Sequence, residues 1–405
     1  PFGRGLPSGL AILDSGTAVI QSALGLLMIQ ASGRDGGSLV TRMRSEEALG
    51  TAQANVQATR STGGWTSLPA TDGVHVAVVV GRGERPRSIL DLKVPPRGNV
   101  LGILTEGPKN RPLLPLWSLR DGIVIRHPGR PVKGWEFGLG WEFQPGPVVA
   151  DGRVFALARS FGDPTLEGAA FADEVRLFAL DINTAEVLWS QAITNERGVG
   201  DQGRGDAGRF AVTTMPLGFS RASGTVLVGT NGGLLAAYGA AEGRLLWAIR
   251  HQRTKTSAGG WPGSEAPLVF DSLPELRKLG IGPTAWFTPL GSDFAYAINP
   301  GPLELPLGES IQRGSGFYPM RARPRPRRGA VSLATARLDP ESQGEWSLVL
   351  LGQDGRFDAA LIDPPEGPRL PASYLAPSER LSGPAAFDGR WLFVPGTQDL
   401  SILDR

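Results

Sequence analysis

The chain has no cysteine. That excludes disulfides, thiolate metal sites, iron–sulfur clusters, covalent haem attachment and a cysteine nucleophile. It leaves the compartment open, because a large repeat fold needs no disulfide staples in an oxidising space. Histidine is nearly as scarce, with His75, His127 and His251 far apart in the sequence. No HxH or HExxH pattern joins them, so a zinc site is not signalled, and His75 inside the apolar stretch Val74–Val80 reads as a core or pore-lining residue. A Gly-x-Ser-x-Gly nucleophile elbow is also missing. Neither sign of charge dominates: 41 basic and 39 acidic residues leave a net charge of +2, and no global nucleic-acid footprint is expected. Only five of the basic residues are lysine. Long apolar runs are few. Leu10–Ala31 carries a single charge, Asp14, yet Asp14-Ser-Gly16, Gln21 and Gln30 divide it into two strands and a turn rather than a transmembrane span. The sequence opens at Pro1, so a processed or truncated amino terminus is expected.

Glycine and proline are abundant, at 56 and 34 residues. Both disrupt helix interiors, so the composition suits many short strands. Two stretches repeat each other. Leu177-Phe-Ala-Leu-Asp181-Ile-Asn-Thr-Ala185-Glu-Val-Leu-Trp189 matches Leu235-Ala-Ala-Tyr-Gly239-Ala-Ala-Glu-Gly243-Arg-Leu-Leu-Trp247. Each is an apolar strand, a tight turn and a second strand carrying a tryptophan. A strand–turn–strand unit repeated with a fixed aromatic anchor predicts a β-propeller blade.

Blade openings recur as well. Pro147-Val-Val-Ala-Asp151-Gly152-Arg-Val-Phe155 is answered by Pro384-Ala-Ala-Phe-Asp388-Gly389-Arg-Trp-Leu-Phe393, with looser copies at Pro267–Asp271 and Pro69–Val76. Asp-Gly supplies the positive φ of a hairpin turn, and proline is tolerated at the first residue of a strand. Blade starts are predicted near residues 8, 68, 146, 214, 266, 330 and 383. The expected fold is all-β: residues 1–405 form one β-propeller domain of seven or eight four-stranded antiparallel blades. The spacing requires insertions, which we place at 194–210, 254–265, 273–282 and 300–328. Leu273, Leu276 and Leu279 followed by Gly280 predict one short helix. The last unit, Trp391–Arg405, stops after its third strand, so the N-terminal segment near Leu10–Ile20 is expected to close that blade and cover its edge.

These residues resemble the pyrroloquinoline-quinone-like (PQQ-like) β-propeller repeat, whose turn reads roughly Ala-x-Asp-x-x-x-Gly-x-x-x-Trp. The likeness is carried by Ala179–Trp189 and Ala237–Trp247, and in weaker form by Leu361–Leu370. Ala185 departs from the pattern at the Gly position and Gly239 at the Asp position. At the level of the repeat the chain is similar to the outer-membrane assembly lipoprotein BamB, and residues Glu142–Arg250 look most like envelope propellers of planctomycete-type bacteria. The resemblance implies that Asp181, Trp189, Gly243, Trp247, Asp363 and Gly367 are structural blade anchors. It also names quinone dehydrogenases that hold a quinone beside adjacent disulfide-bonded cysteines and a metal. The lack of cysteine and of any window with that ligand set leads us to expect no cofactor, no metal and no catalytic residues.

Three other stretches are candidates for binding. Arg321-Ala-Arg323-Pro-Arg325-Pro-Arg327-Arg328 is the densest charge run, and proline keeps it extended for an acidic partner or an anionic surface. Trp135-Glu-Phe137-Gly-Leu-Gly-Trp141-Glu-Phe143 reads either as a docking strip or as a half-buried strand. Asp201–Arg209 has the composition of a calcium loop but lacks the closing glutamate, and reads as a solvated loop. The leading expectation is a non-enzymatic scaffold or accessory subunit binding other protein subunits in the bacterial cell envelope. The expected location is periplasmic or otherwise extracytoplasmic. The alternatives are a degenerate quinoprotein or other enzyme using the central channel, and a carbohydrate- or wall-binding propeller.

Overall fold

The computed structural model describes residues 7–22, 25–30, 39–44, 49, 69–80, 98–108, 113–125, 129–144, 146–160, 174–194, 217–221, 223–230 and 234–250, and beyond these the backbone of the strands from residue 268 onward. Its elements are antiparallel strands that fall, among the described residues, into seven sheets. The first consists of β1 (Pro7–Ile12), β2 (Thr17–Ser22), β3 (Gly25–Gln30) and β4 (Leu39–Arg44). The second runs from β5 (Ala70–Thr71) through β6 (His75–Val80), β7 (Val100–Glu106) and β8 (Leu113–Arg120) to β9 (Ile123–Val124) and β10 (Arg130–Pro131). In the third, β11 (Trp141–Phe143) and β12 (Val148–Ala150) share one edge of β13 (Arg153–Ser160), followed by β14 (Val175–Asp181) and β15 (Val187–Thr194). The fourth is β16 (Gly218–Ser220), β17 (Thr225–Gly229), β18 (Leu234–Gly239) and β19 (Leu245–Arg250). The fifth is β20 (Leu268–Phe270), β21 (Thr284–Phe287), β22 (Phe294–Ile298) and β23 (Arg323–Pro324). The sixth is β24 (Ala330–Arg337), β25 (Trp346–Gly352) and β26 (Phe357–Leu361). The seventh is β27 (Ala386–Phe387), β28 (Trp391–Pro395) and β29 (Leu400–Asp404).

Why these residues make stacked sheets follows from their burial. In β6, Val76 and Val78 pack towards the first sheet, while Ala77 and Val79 pack towards the third. In β14, Phe178 and Leu180 join the second sheet, whereas Leu177 and Ala179 join the fourth. A strand alternates its side chains between two faces. A continuous apolar run is therefore what a strand needs when both faces are covered. Among the described residues the core is thus three apolar layers, one between each successive pair of the first four sheets.

The first strands of successive sheets lie side by side: β1 with β5, β5 with β12, β12 with β16, and β16 with β20. β24 neighbours β27, and β27 neighbours β1. The N-terminal strands do not lend an outer strand to the seventh sheet in any described pairing. β1 pairs with β2 and lies beside β27 and β28 instead. The turn at 13–16 and the pairing of β2 with β3 as far as Ser22 and Gly25 satisfy backbone groups of β1–β3 within their own sheet. The expected helix at 273–280 lies outside the described residues, as does most of each insertion.

Candidate functional site

The repeated turn is the best-defined feature of the molecule, and its purpose is visible in the geometry. In the third sheet Ala179 faces Trp189, and the register slips between Ala179 and Leu180. In the fourth Ala237 faces Trp247, with the same slip between Ala237 and Tyr238. The bulge tilts the tryptophan out of the ladder towards the next sheet. The Trp189 Nε1–H donates to the carbonyl of Ala240 at 3.0 Å. The ring lies over Gly243, whose φ is +71°. A Cβ at Gly243 would meet Cε3 of Trp189 at 2.5 Å. The glycine of one repeat is therefore the seat for the tryptophan of the repeat before it.

A second joint of this kind involves Trp117, which the repeat spacing does not mark. Ile103 faces Trp117 with a slip between Ile103 and Leu104. Its Nε1–H donates to Ile182 at 2.6 Å. Ile182 follows Asp181 as Ala240 follows Gly239, so the two acceptors are equivalent. Ala185, at the seat position, takes φ +63° without being glycine. The repeat spacing does not mark Trp117, because Lys109 and Leu113 stand where the motif has Asp and Gly. The register slip is a signal that only pairing reveals.

Asp181 builds the turn itself. Its Oδ1 accepts from the N–H of Asn183 and from the N–H and hydroxyl of Thr184, at 2.8–3.0 Å. Burial alone would raise its carboxyl, but the bonds from Thr184 and Asn183 outweigh burial and hold it below the usual carboxylate value. The fourth sheet makes the same turn with Gly239, using the Gly243 N–H to Gly239 carbonyl bond at 2.8 Å. Ile182 N–H to Gly152 and Ala240 N–H to Gly224 tie these turns to the first hairpin of each sheet. The short turns of the third and fourth sheets therefore share one end. Tyr238, 5% exposed, packs in the layer beneath, and burial pushes its hydroxyl up to about 12.

The aromatic strip joins the second and third sheets rather than lying on the surface. Trp141 and Phe143 are buried, at 5% and 1% exposure. Trp135 stacks on Phe178 at 5.1 Å and 10°, and Phe137 meets Trp135, Trp141 and Phe178 edge-on. Both are half-buried against the core layer, and the Arg176 guanidinium caps Phe137 at 4.7 Å. Asp121 fixes the segment's end by accepting from the backbone N–H groups of Gly98, Gly140 and Trp141. Asn99 grips Phe143 from both sides, donating to its carbonyl at 2.8 Å and accepting from its N–H at 2.6 Å.

His75 pairs with Asp72 through Nδ1 at 3.0 Å. Burial opposes ionisation of Asp72, but the N–H groups of His75 and Val74 and the His75 ring prevail and lower its carboxyl value. Of the arginine run, Arg323 lies in β23, while Arg321, Arg325, Arg327 and Arg328 lie outside the described residues. Asp363 and Gly367 also lie outside them. Trp189 and Gly243 are at the joint between the third and fourth sheets, and Trp247 is buried opposite Ala237 in the fourth. Among the described residues no group of three or more His, Asp and Glu is placed to hold a metal, and no helix is long and apolar enough to cross a membrane.

Residues 129–259, from the strip to just beyond β19, match the family described as outer membrane protein assembly factor BamB. The repeats at Ala179–Trp189 and Ala237–Trp247 are accordingly PQQ-like propeller repeats. No curated protein matches the chain. A chain in the crystal structure of the mitotic checkpoint complex is similar at a TM-score of 0.52 and 9% identity, over 98% of this chain and 86% of that one. That likeness concerns the fold alone. BamB from Moraxella catarrhalis is similar at 0.44 and 12% identity over 99% and 83%, and the computationally designed Ika8 protein at 0.44 and 11% over 99% and 97%.

Proposed function

We propose, from the premise that residues 129–259 carry PQQ-like repeats of the BamB type, that this protein is a non-enzymatic interaction scaffold. In this reading it is an accessory subunit of a larger protein assembly in the bacterial cell envelope, on the extracytoplasmic side. The seven sheets are its blades, with the first strands arranged around a central axis. The observation that carries the reading is the use of the motif residues. Asp181, Trp189, Gly243 and Trp117 are all engaged in turn formation or sheet-to-sheet docking, so the repeat specifies a rigid frame. A second observation favours binding over channel chemistry. β1, β5, β12, β16, β20 and β27 contain no ionisable residue, and β24 contains only Arg337. General acid–base catalysis needs titratable groups within hydrogen-bond reach of substrate, and apart from Arg337 the inner strands offer only apolar residues, glycine, Ser and Thr. Binding then belongs to exposed turns, strand edges and the inserted loops. The arginines Arg321–Arg328 are a candidate contact for an acidic partner or an anionic surface.

The test is the native mass of the protein gently extracted from its source envelope. Co-migration with other subunits supports the scaffold. A lone species near 42.9 kDa that carries a bound cofactor overturns it in favour of an enzyme.

A further inference from the structure

The tryptophan joint has a frame of two parts, and the first two sheets supply both of them. One part is the register slip in the outer hairpin. Ile103 faces Trp117, Ala179 faces Trp189 and Ala237 faces Trp247, each immediately before a slip. In the first sheet Met28 faces Thr41 immediately before the same slip. The other part is the tie that presents the acceptor carbonyl. Ile182 N–H donates to Gly152 and Ala240 N–H to Gly224, and the carbonyls of Ile182 and Ala240 then accept from Trp117 and Trp189. Glu106 N–H donates to Val74 in the same way, at 2.9 Å. Glu106 stands three residues past Ile103, as Ile182 and Ala240 stand three past Ala179 and Ala237. The acceptor is thus in place in the second sheet, but the first sheet sends it no indole: β4 reads Leu-Val-Thr-Arg-Met-Arg. Among the described residues no donor reaches the Glu106 carbonyl, and Val74, which holds the tie, is 43% exposed. Leu49 closes this joint elsewhere, over Gly102 with its carbonyl bound by Ser118. Gly102 is four strand residues from Glu106, a distance of about 13 Å, so the Glu106 end stays open.

We infer that the Glu106 end of the joint between the first and second sheets is a docking site for a tryptophan side chain of a partner protein, its indole N–H donating to the Glu106 carbonyl. The two filled joints argue for this occupant. Each holds an indole against the equivalent carbonyl, with the same slip on one side and the same tie on the other. An indole supplies the two things those joints use, a flat apolar ring and a donor at its edge. Phenylalanine lacks the donor, and a lysine ammonium lacks the ring. Tryptophan anchors seated in a partner's pocket are also the residues that carry most binding energy in an interface.

This inference rests on the scaffold reading, and its test separates the two. The probe is N-acetyl-L-tryptophanamide, titrated against the full chain by nuclear magnetic resonance, with N-acetyl-L-phenylalaninamide for comparison. The expected result is millimolar binding of the tryptophan amide, about fivefold tighter than the phenylalanine amide, the worth of one neutral hydrogen bond. The Gly107 amide shares its peptide group with the Glu106 carbonyl, so its resonance should move with the probe and locates the site without any substitution. Thr41→Trp sets an indole at the open register position from within the chain; the folded variant should lose probe binding and gain thermal midpoint. No binding at millimolar probe, equal binding of the two amides, an unmoved Gly107 amide, or undiminished binding by folded T41W overturns the site. Binding that appears only in W65F assigns the site to the chain's own Trp65, in the connection between the two sheets, and likewise overturns it. Co-migration of T41W with the native subunits at wild-type level refutes the partner tryptophan and leaves the scaffold standing, whereas a wild-type chain that migrates alone removes the scaffold itself.

Discussion

At the residue scale, the tryptophan joint divides into two cases with different consequences. Trp117 is the described donor to the Ile182 carbonyl, whereas the Ala240 carbonyl accepts from both Trp189 and Arg153 Nη1, at 3.0 Å each. A buried carbonyl that loses its last partner costs about 1–3 kcal/mol. Trp117→Phe should therefore destabilise more than Trp189→Phe. Urea unfolding of the two variants measures the difference, and equal losses would mean the indole bond is not the discriminating term. Asp181 gives a pH-dependent counterpart. Its carboxyl is lowered in the folded state, so its stabilisation is fully present above the ordinary carboxylate value, about 4. It is lost as pH falls through the lowered value. Asp181→Ala should cost about 1 kcal/mol at neutral pH, with the gap to wild type closing below pH 4; a gap that persists into acid would assign the effect to packing. Trp189 and Trp247 were legible in the sequence because the Asp, Gly and Trp spacings are local. Trp117 was not, since its acceptor is 65 residues away and its own turn lacks the motif.

At the scale of elements, the edge of the third sheet shows how a local irregularity is held. β11 and β12 both pair with β13 but are not continuous with each other, although the Gln144 N–H still donates to the Leu157 carbonyl of β13 at 2.7 Å. Asn99 adds a second hold from the second sheet by binding both backbone groups of Phe143. Asn99→Ala removes both partners from a buried residue and should cost about 2–3 kcal/mol. Accelerated amide exchange at 141–143 is the accompanying sign, and unaltered exchange there would show that β13 alone holds β11. The doubled Trp-Glu-Phe motif was legible as alternation, but not which way it faces. Its rings turn inward because Phe178, on a strand from later in the chain, offers a stacking surface. No window of the sequence carries that information. The strand openings were easier to read, since proline and Asp-Gly mark strand starts and turns through local backbone preferences alone.

At the scale of the whole molecule, the first and seventh sheets are the ends of the chain and also neighbours in space. β1 lies beside β27 and β28, yet its hydrogen bonds go to β2, so packing alone would join the ends. Such a closure is weaker than a shared sheet, because it lacks ladder bonds across the join. The absence of native cysteine makes it directly testable. Paired cysteines can be introduced, one within Pro7–Ile12 and one at Ala386 or Phe387, against no background of endogenous thiols. In a ring, at least one pair should cross-link within the monomer under mild oxidation or with a short bifunctional reagent, giving a species of altered gel mobility. Cross-linking closes a loop of nearly the whole chain, and the loss of unfolded-state entropy should raise stability by up to about 5 kcal/mol. If every pair stays reduced while a control pair between β1 and β2 forms, the ends do not meet in solution. The seven sheets would then be an open stack, and the β1 face would be a surface rather than part of the core.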